Sequence, residues 1–237
     1  MSILRRVARC EKARCRCQMR AVSMMQREDR KRSPMTTLME LAPFLSSSDA
    51  IDSDHESIRE LAKSVFRKSQ LATVQATYEL VRDRFPHSYD IGAPEVSVSA
   101  SDVIRYGHGI CFAKSHLLAA LLRANGVPAG LCYQKFVRDD QGPANTYLHG
   151  LNAVWLDGRW RRLDPRGNKP NTAVPFNPDC ERLAYRIDPV RGERDYRDVF
   201  SEPLPCVLAA LRTSRTVVEL DCKLPPELDH RADEVIE

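Results

Sequence analysis

Gly109-Ile110-Cys111-Phe112-Ala113-Lys114-Ser115-His116-Leu117-Leu118 decides how this chain reads. A glycine-flanked turn gives way to a strongly apolar run, and a cysteine stands at the changeover. From Cys111 to about Ala124, Phe112, Leu118, Leu121 and Leu122 are interspersed with alanines at 113, 119 and 120. The helix they predict is apolar around most of its circumference and belongs inside the protein. Asn125-Gly126 ends it and Pro128 bars its continuation. A thiol in the first turn of such a helix meets the positive end of the helix dipole, which favours the thiolate. The unpaired N–H groups at that helix start could also hold a developing oxyanion. A buried cysteine beside a helix is usually packing. Cys111 therefore needs partners before it can be read as a nucleophile.

The partners come from the strands that follow. Ala129 to Val137 and Leu148 to Leu156 read as strands, Asp157-Gly158 as a hairpin turn, and Arg159 to Asp164 as the return strand. A two-residue turn sets Leu156 opposite Arg159, so Asp164 falls opposite Leu151. Opposed residues share a face and side chains alternate along a strand, so His149 lies on the face of Asp164 as its diagonal neighbour. Cys111 is then a candidate nucleophile, His149 its base, and Asp164 the group that fixes the histidine tautomer. Trp155 and Trp160 face one another on the same side and could shield the site, or simply form the apolar layer of the hairpin. A zinc site built from His108, Cys111, His116, Cys132 and His149 is the competing use, but these lack paired short spacing, so no metal is assigned. Cys132, Cys180, Cys206 and Cys222 read as core or surface thiols.

Upstream, Ser53-Asp54-His55-Glu56 has capping-box spacing before an apolar stripe at Ile58, Leu61, Ala62, Val65 and Phe66. A second helix runs from about Ala72 to Arg84, with Pro86 beyond its end. His55 and His87 stand at helix ends among polar residues and read as surface histidines. Val96-Ser97-Val98 suggests a short extended piece, and Ser101 to Tyr106 a helical turn stopped by Gly107. Past Asp164, helical turns are expected at Pro178–Tyr185 and Pro203–Arg212, an edge strand at Thr216–Leu220, and a frayed end. Helices first and a meander of strands afterwards define an α+β domain with an antiparallel sheet on the central helix.

Composition narrows the classes. The formal charge is +4, yet residues 1–34 hold eleven Lys/Arg against three Asp/Glu, so the remainder is mildly acidic. That leaves no nucleic-acid footprint on the folded part. No apolar run approaches the roughly 18 residues of a membrane span. Eight cysteines without regular spacing do not make a disulfide framework and suit a reducing, cytoplasmic setting. Ile3-Leu4 followed by Arg5-Arg6 lacks a secretory core. Residues 1–34 read as a loosely ordered basic extension, as a transit segment, or as residues preceding a start at Met35. The domain is expected over 35–215, its motif core over 55–170, and a C-terminal edge or tail over 216–237.

Four pieces in order then resemble a known family. They are Gly107-His108-Gly109-Ile110-Cys111, Leu118 through Gly130, His149-Gly150-Leu151-Asn152-Ala153-Val154-Trp155, and Trp160-Arg161-Arg162-Leu163-Asp164-Pro165-Arg166-Gly167-Asn168. Together they resemble the transglutaminase-like superfamily, in its compact bacterial, cysteine-protease-like form. The resemblance implies a papain-like α+β core and a Cys111–His149–Asp164 triad. It also implies acyl transfer through a thioester on a glutamine, another amide or a peptide bond of a protein or peptide, without a cofactor. Relatives complete the oxyanion hole with an aromatic or amide side chain, for which Tyr106 and Gln134 are candidates, and His108 could line the cleft. The alternative is a transglutaminase-fold module that binds a protein partner without chemistry.

Overall fold

The computed structural model describes residues 39–138, 146–167 and 174–228. The basic extension 1–34 and the expected fraying over 229–237 lie outside the described residues. The chain divides at Ala42/Pro43, and the unit Pro43–Glu237 holds every element named below.

Helices α1 (Glu56–Val65), α2 (Gln70–Arg84), α3 (Ser88–Ile91) and α4 (Ala100–Tyr106) precede the central helix α5 (Cys111–Ala124). Strands β1 (Ala129–Val137), β2 (Thr146–Leu156) and β3 (Arg159–Leu163) follow, then the two-residue β4 (Arg194–Asp195) and helices α6 (Pro205–Thr213) and α7 (Val217–Lys223). The four strands make one antiparallel sheet in the order β3-β2-β1-β4. The architecture is α+β.

Helix α5 is buried from Cys111 to Arg123, as its all-round apolarity requires. It packs on β1 and β2 on one side and on α1, α2 and α4 on the other. Its two buried basic side chains are held by carbonyls. Arg123 donates to Ala129 O at 3.0 and 3.1 Å and to Ser46 O at 2.7 Å. Lys114 Nζ lies 3.4 Å from Arg82 O and 3.3 Å from Arg166 O. The helix and sheet meet closely because Gly150 has no side chain: a Cβ there would lie 2.6 Å from the Phe112 ring.

The hairpin forms as its turn chemistry demands. Asp157 and Gly158 both have positive φ, 51° and 77°, the primed turn that matches strand twist. Leu156 pairs with Arg159 and Trp155 with Trp160, the expected register. The sheet is buried on both faces. Leu148, Val154 and Leu163 join the α5 core, while Cys132, Leu151 and Ala153 form a second cluster with Trp160, Leu183 and Val199.

Several local expectations are corrected. Ser53 is buried rather than capping, and α1 takes His55 as its N-cap, with the ring accepting from Ser57 N–H. The capping box occurs instead at Ser99–Asp102, on α4. Val96–Val98 joins no sheet, because its backbone is bound by side chains: Val98 N–H donates to Asp102 and Val98 O meets His116 Nδ1. No helix forms over Pro178–Tyr185; that stretch lies across the sheet, where Ala184 N–H is needed by Asp164. Thr216 caps helix α7 rather than opening a strand, its hydroxyl accepting from Glu219 N–H.

Candidate active site

Three elements converge at one end of the sheet. The first turn of α5 brings Cys111, the middle of β2 brings His149, and the residue just past β3 brings Asp164. His149 Nε2 donates to Asp164 Oδ2 over 2.9 Å. That leaves Nδ1 as the ring nitrogen for Cys111, whose sulfur hydrogen-bonds the His149 side chain and the backbone N–H of Gly150. Both members of the His149–Asp164 pair are buried. The carboxylate has further support: Oδ2 accepts from Ala184 N–H at 2.9 Å and Oδ1 from Arg166 N–H at 3.0 Å. Tyr78 holds the backbone there, its hydroxyl reaching Asp164 O at 3.1 Å and Val174 O at 2.8 Å.

Electrostatics favour the charged forms of all three. Burial pushes the Cys111 thiol up, but its hydrogen bond to His149, the charge of that ring, the Gly150 N–H and the Arg166 guanidinium outweigh it and lower its pKa. Burial opposes a charged His149, yet the Asp164 carboxylate and the Cys111 sulfur raise its pKa. Asp164 is likewise held below the usual carboxylate range, against burial, by His149 and two backbone N–H groups. Cys132 is the contrast: buried without such partners, its thiol is pushed up to about 12. The surroundings thus lower the pKa of the thiol and raise that of the imidazole, the directions that favour a thiolate beside a protonated ring.

The remaining candidates have other partners. Trp155 and Trp160 stack edge-on at 5.5 Å, and Phe44 packs on Trp160. Six residues of strand, about 20 Å, separate Trp155 from His149, so they shield the hairpin tip and not the triad. The rings against His149 are Tyr185 at 5.0 Å and Phe136 at 6.1 Å. Gln134 pairs with His149 across the β1–β2 ladder, but its amide donates to Asp195 at 3.1 Å. Tyr106 is partly exposed and stacks on His108. His108 is buried between Ser88 Oγ, 3.0 Å from Nδ1, and Glu95, 3.3 Å from Nε2. The five residues weighed for zinc do not converge. His116 is committed to Val98 O and Cys132 lies in the second cluster, and no group of three or more metal-ligating side chains occurs among the described residues.

His87 is the residue that sequence reasoning misplaced. It is buried, and its Nε2 accepts from Cys111 N–H over 3.0 Å. Its polar neighbours suggested the surface; only the pairing of His87 with Gly109, a contact across 22 residues, turns the ring inward. Arg166 and Asp90 were missed too. Arg166 grips Asp90 through two bonds of 2.6 and 2.8 Å, tying the loop after β3 to α3.

Fold and site together define an α+β domain with a cysteine–histidine–aspartate chain at a helix–sheet junction. Residues 59–165 match the family model of the Transglutaminase-like superfamily. A solved structure described as a candidate cysteine protease from Cytophaga hutchinsonii is similar at 24% identity, with a TM-score of 0.45 over 60% of this chain. The match spans 47% of that protein, about half its length. No curated protein matches the chain. Among the described residues no helix is long and apolar enough to cross a membrane.

Proposed function

We propose that this protein is a cysteine-dependent acyl-transfer enzyme acting on amide bonds, with Cys111 as nucleophile, His149 as base and acid, and Asp164 as its orienting carboxylate. The observation that supports it is the run from the Cys111 sulfur, whose pKa the His149 side chain lowers, to an Asp164 carboxylate bonded to His149 Nε2 and to two backbone N–H groups. Every atom in that run is needed for acyl transfer, and a cysteine that only fills space needs none of it.

The Cys111 thiolate forms a bond to the carbonyl carbon, and the carbonyl π pair moves onto oxygen. When that pair returns, the carbon–nitrogen bond breaks. The departing amine or ammonia takes the His149 proton, leaving a thioester on Cys111. Water or a second amine then gives its proton to His149 and attacks the thioester, which frees the thiolate and a carboxylic acid or new amide. The substrate is a protein or peptide, through a glutamine or other amide side chain or a peptide bond. A reducing compartment such as the cytoplasm keeps the thiol available.

Two measurements test this. The thiolate absorbance of wild type minus Cys111→Ala, followed against pH, is expected to persist well below the roughly 8.5 of a free thiol. Iodoacetamide labelling read by peptide mapping is expected to modify Cys111 at acidic pH and leave Cys132 unmodified. Slow, equal labelling of the two would instead favour a non-catalytic module that binds a protein partner.

A further inference from the structure

Cys111 and His149 are buried, so a substrate reaches them past the side chains that lead from them to the surface. On the Cys111 side, His87 stands against the nucleophile's amide and stacks on Tyr89 of α3, with centroids 5.5 Å apart. Tyr89 is exposed, and its hydroxyl donates to Val217 O of α7 at 3.2 Å. On the other side, the His149 ring meets Phe136 at 6.1 Å and Phe136 meets Tyr147 at 5.8 Å. The Arg138 guanidinium lies 5.2 Å from the centroid of the Tyr147 ring. One ion pair closes the two sides. Arg138 Nη1 donates to Asp221 Oδ2 at 2.7 Å and Nη2 donates to Oδ1, and Asp221 stands one turn beyond Val217 in α7. Burial raises the pKa of both phenols, Tyr89 and Tyr147, and a negative Cys111 sulfur near both adds to it.

The Arg138–Asp221 pair is not what holds α7. Val217 and Leu220 are buried in the core, whereas the Arg138 and Asp221 side chains are 29% and 28% exposed. Water screens such a pair, and its contribution to stability is small. The two partners are tethered differently. Arg138 is kept in place by the Tyr147 ring, a contact that does not involve Asp221. Asp221 is a short side chain at the helix surface, free to turn into water. A competing carboxylate therefore displaces Asp221 and finds the guanidinium still in position. The two bonds already made there show that a planar carboxylate fits at this point.

We infer that Arg138 selects acyl donors that carry a carboxylate a few residues from the scissile carbonyl, the acidic side chain of the substrate replacing Asp221 on the guanidinium. This rests on the acyl-transfer reading above and gives it a substrate class, an acidic peptide. No covalent bond changes at Arg138: one carboxylate is exchanged for another, and Asp221 becomes hydrated. The contact is to the acyl portion, which stays on Cys111 through both half-reactions. Each extended residue adds about 3.5 Å, so a glutamate two or three residues from the carbonyl covers the separations that the path from His149 to Arg138 allows.

The test compares p-nitrophenyl esters of N-acetyl-Glu-Gly and N-acetyl-Glu-Gly-Gly with their Gln and Lys counterparts. Release of p-nitrophenol by wild type minus Cys111→Ala is followed, with p-nitrophenyl acetate as the reference that acetylates Cys111 without reaching Arg138. Wild type is expected to use the better Glu ester about 10-fold more efficiently, in kcat/KM, than its Gln counterpart, the size of one charge-assisted contact. Arg138→Gln is expected to bring that ratio to about one. Arg138→Lys is expected to keep part of it, because the charge survives and the two-bonded geometry does not. Asp221→Asn is expected to raise the ratio above the wild-type value by removing the competitor. A ratio between two substrates of one shape does not move when enzyme is merely lost to misfolding. Equal use of the Glu and Gln esters by wild type overturns the inference and leaves acyl transfer standing. So does a Glu preference that survives Arg138→Gln, or a Lys preference lost in Asp221→Asn. A wild-type Cys111 that takes no acyl group from any ester, acetate included, overturns the reaction and the inference together.

Discussion

The His149–Asp164 bond joins two buried groups and moves their pKa values in opposite directions. Asp164→Asn keeps the shape but removes the charge that outweighs burial of the imidazolium. His149 should then lose its raised pKa, and the Cys111 thiol the nearby ring charge that lowers its own. Acetylation of Cys111 at neutral pH is expected to fall by about 100-fold or more. The same charges make stability depend on pH with a definite sign. Asp164 has a depressed folded pKa, so its contribution is present above the ordinary carboxylate value of about 3.9 and is lost as pH falls below it. His149 has a raised one, so its contribution is full below about 6.5 and is lost as pH climbs through the folded value. Urea titrations of wild type and His149→Asn are therefore expected to diverge most in mildly acidic buffer and to converge in alkali.

At the scale of elements, the contact between α5 and β2 depends on Gly150. Gly150→Ala would put a methyl group 2.6 Å from the Phe112 ring, beside the turn that carries Cys111. The cost expected from overpacking is about 1–3 kcal/mol in urea unfolding, with a loss of Cys111 alkylation as helix and strand are wedged apart. Lys114, one turn further along α5, gives a trend of the other kind. Burial, aided by the Arg166 charge, pushes its pKa down to about 7. Between that value and its unfolded pKa near 10.4 the unfolded chain binds the extra proton, so wild-type stability rises with pH. Lys114→Met lacks this term, and its stability relative to wild type is expected to improve steadily as pH drops from 10 to 7. Much at this scale was legible beforehand. Helix α5 and strand β1 end where periodicity and the Asn125-Gly126-Val127-Pro128 punctuation put them, because local backbone chemistry dictates those ends. The Thr216–Leu220 stretch was not legible: its β-branched residues favour a strand, but burial of Val217 and Leu220 against the core selects a helix.

Across the whole molecule, the C-terminal segment shows which forces close the unit. Asp221 forms a two-bonded ion pair with Arg138, and both are partly exposed. Leu220 is fully buried in the main core. Solvent screens the first and not the second, so Asp221→Asn is expected to change unfolding free energy by less than about 1 kcal/mol. Leu220→Ala is expected to cost about 2–5 kcal/mol in the same urea experiment.

By itself the sequence determined the central helix, the hairpin register and, through strand parity, the shared face of His149 and Asp164. Those features follow from periods of 3.6 and 2 and from a two-residue turn, all of them local. Only tertiary structure decided which neighbours complete the site. It brought His87 to the Cys111 amide and Ala184 N–H to Asp164, and laid Tyr185 against the imidazole. The physical reason is chain distance: each of these contacts joins residues about twenty or more positions apart, and no local pattern specifies them until the core has closed around α5.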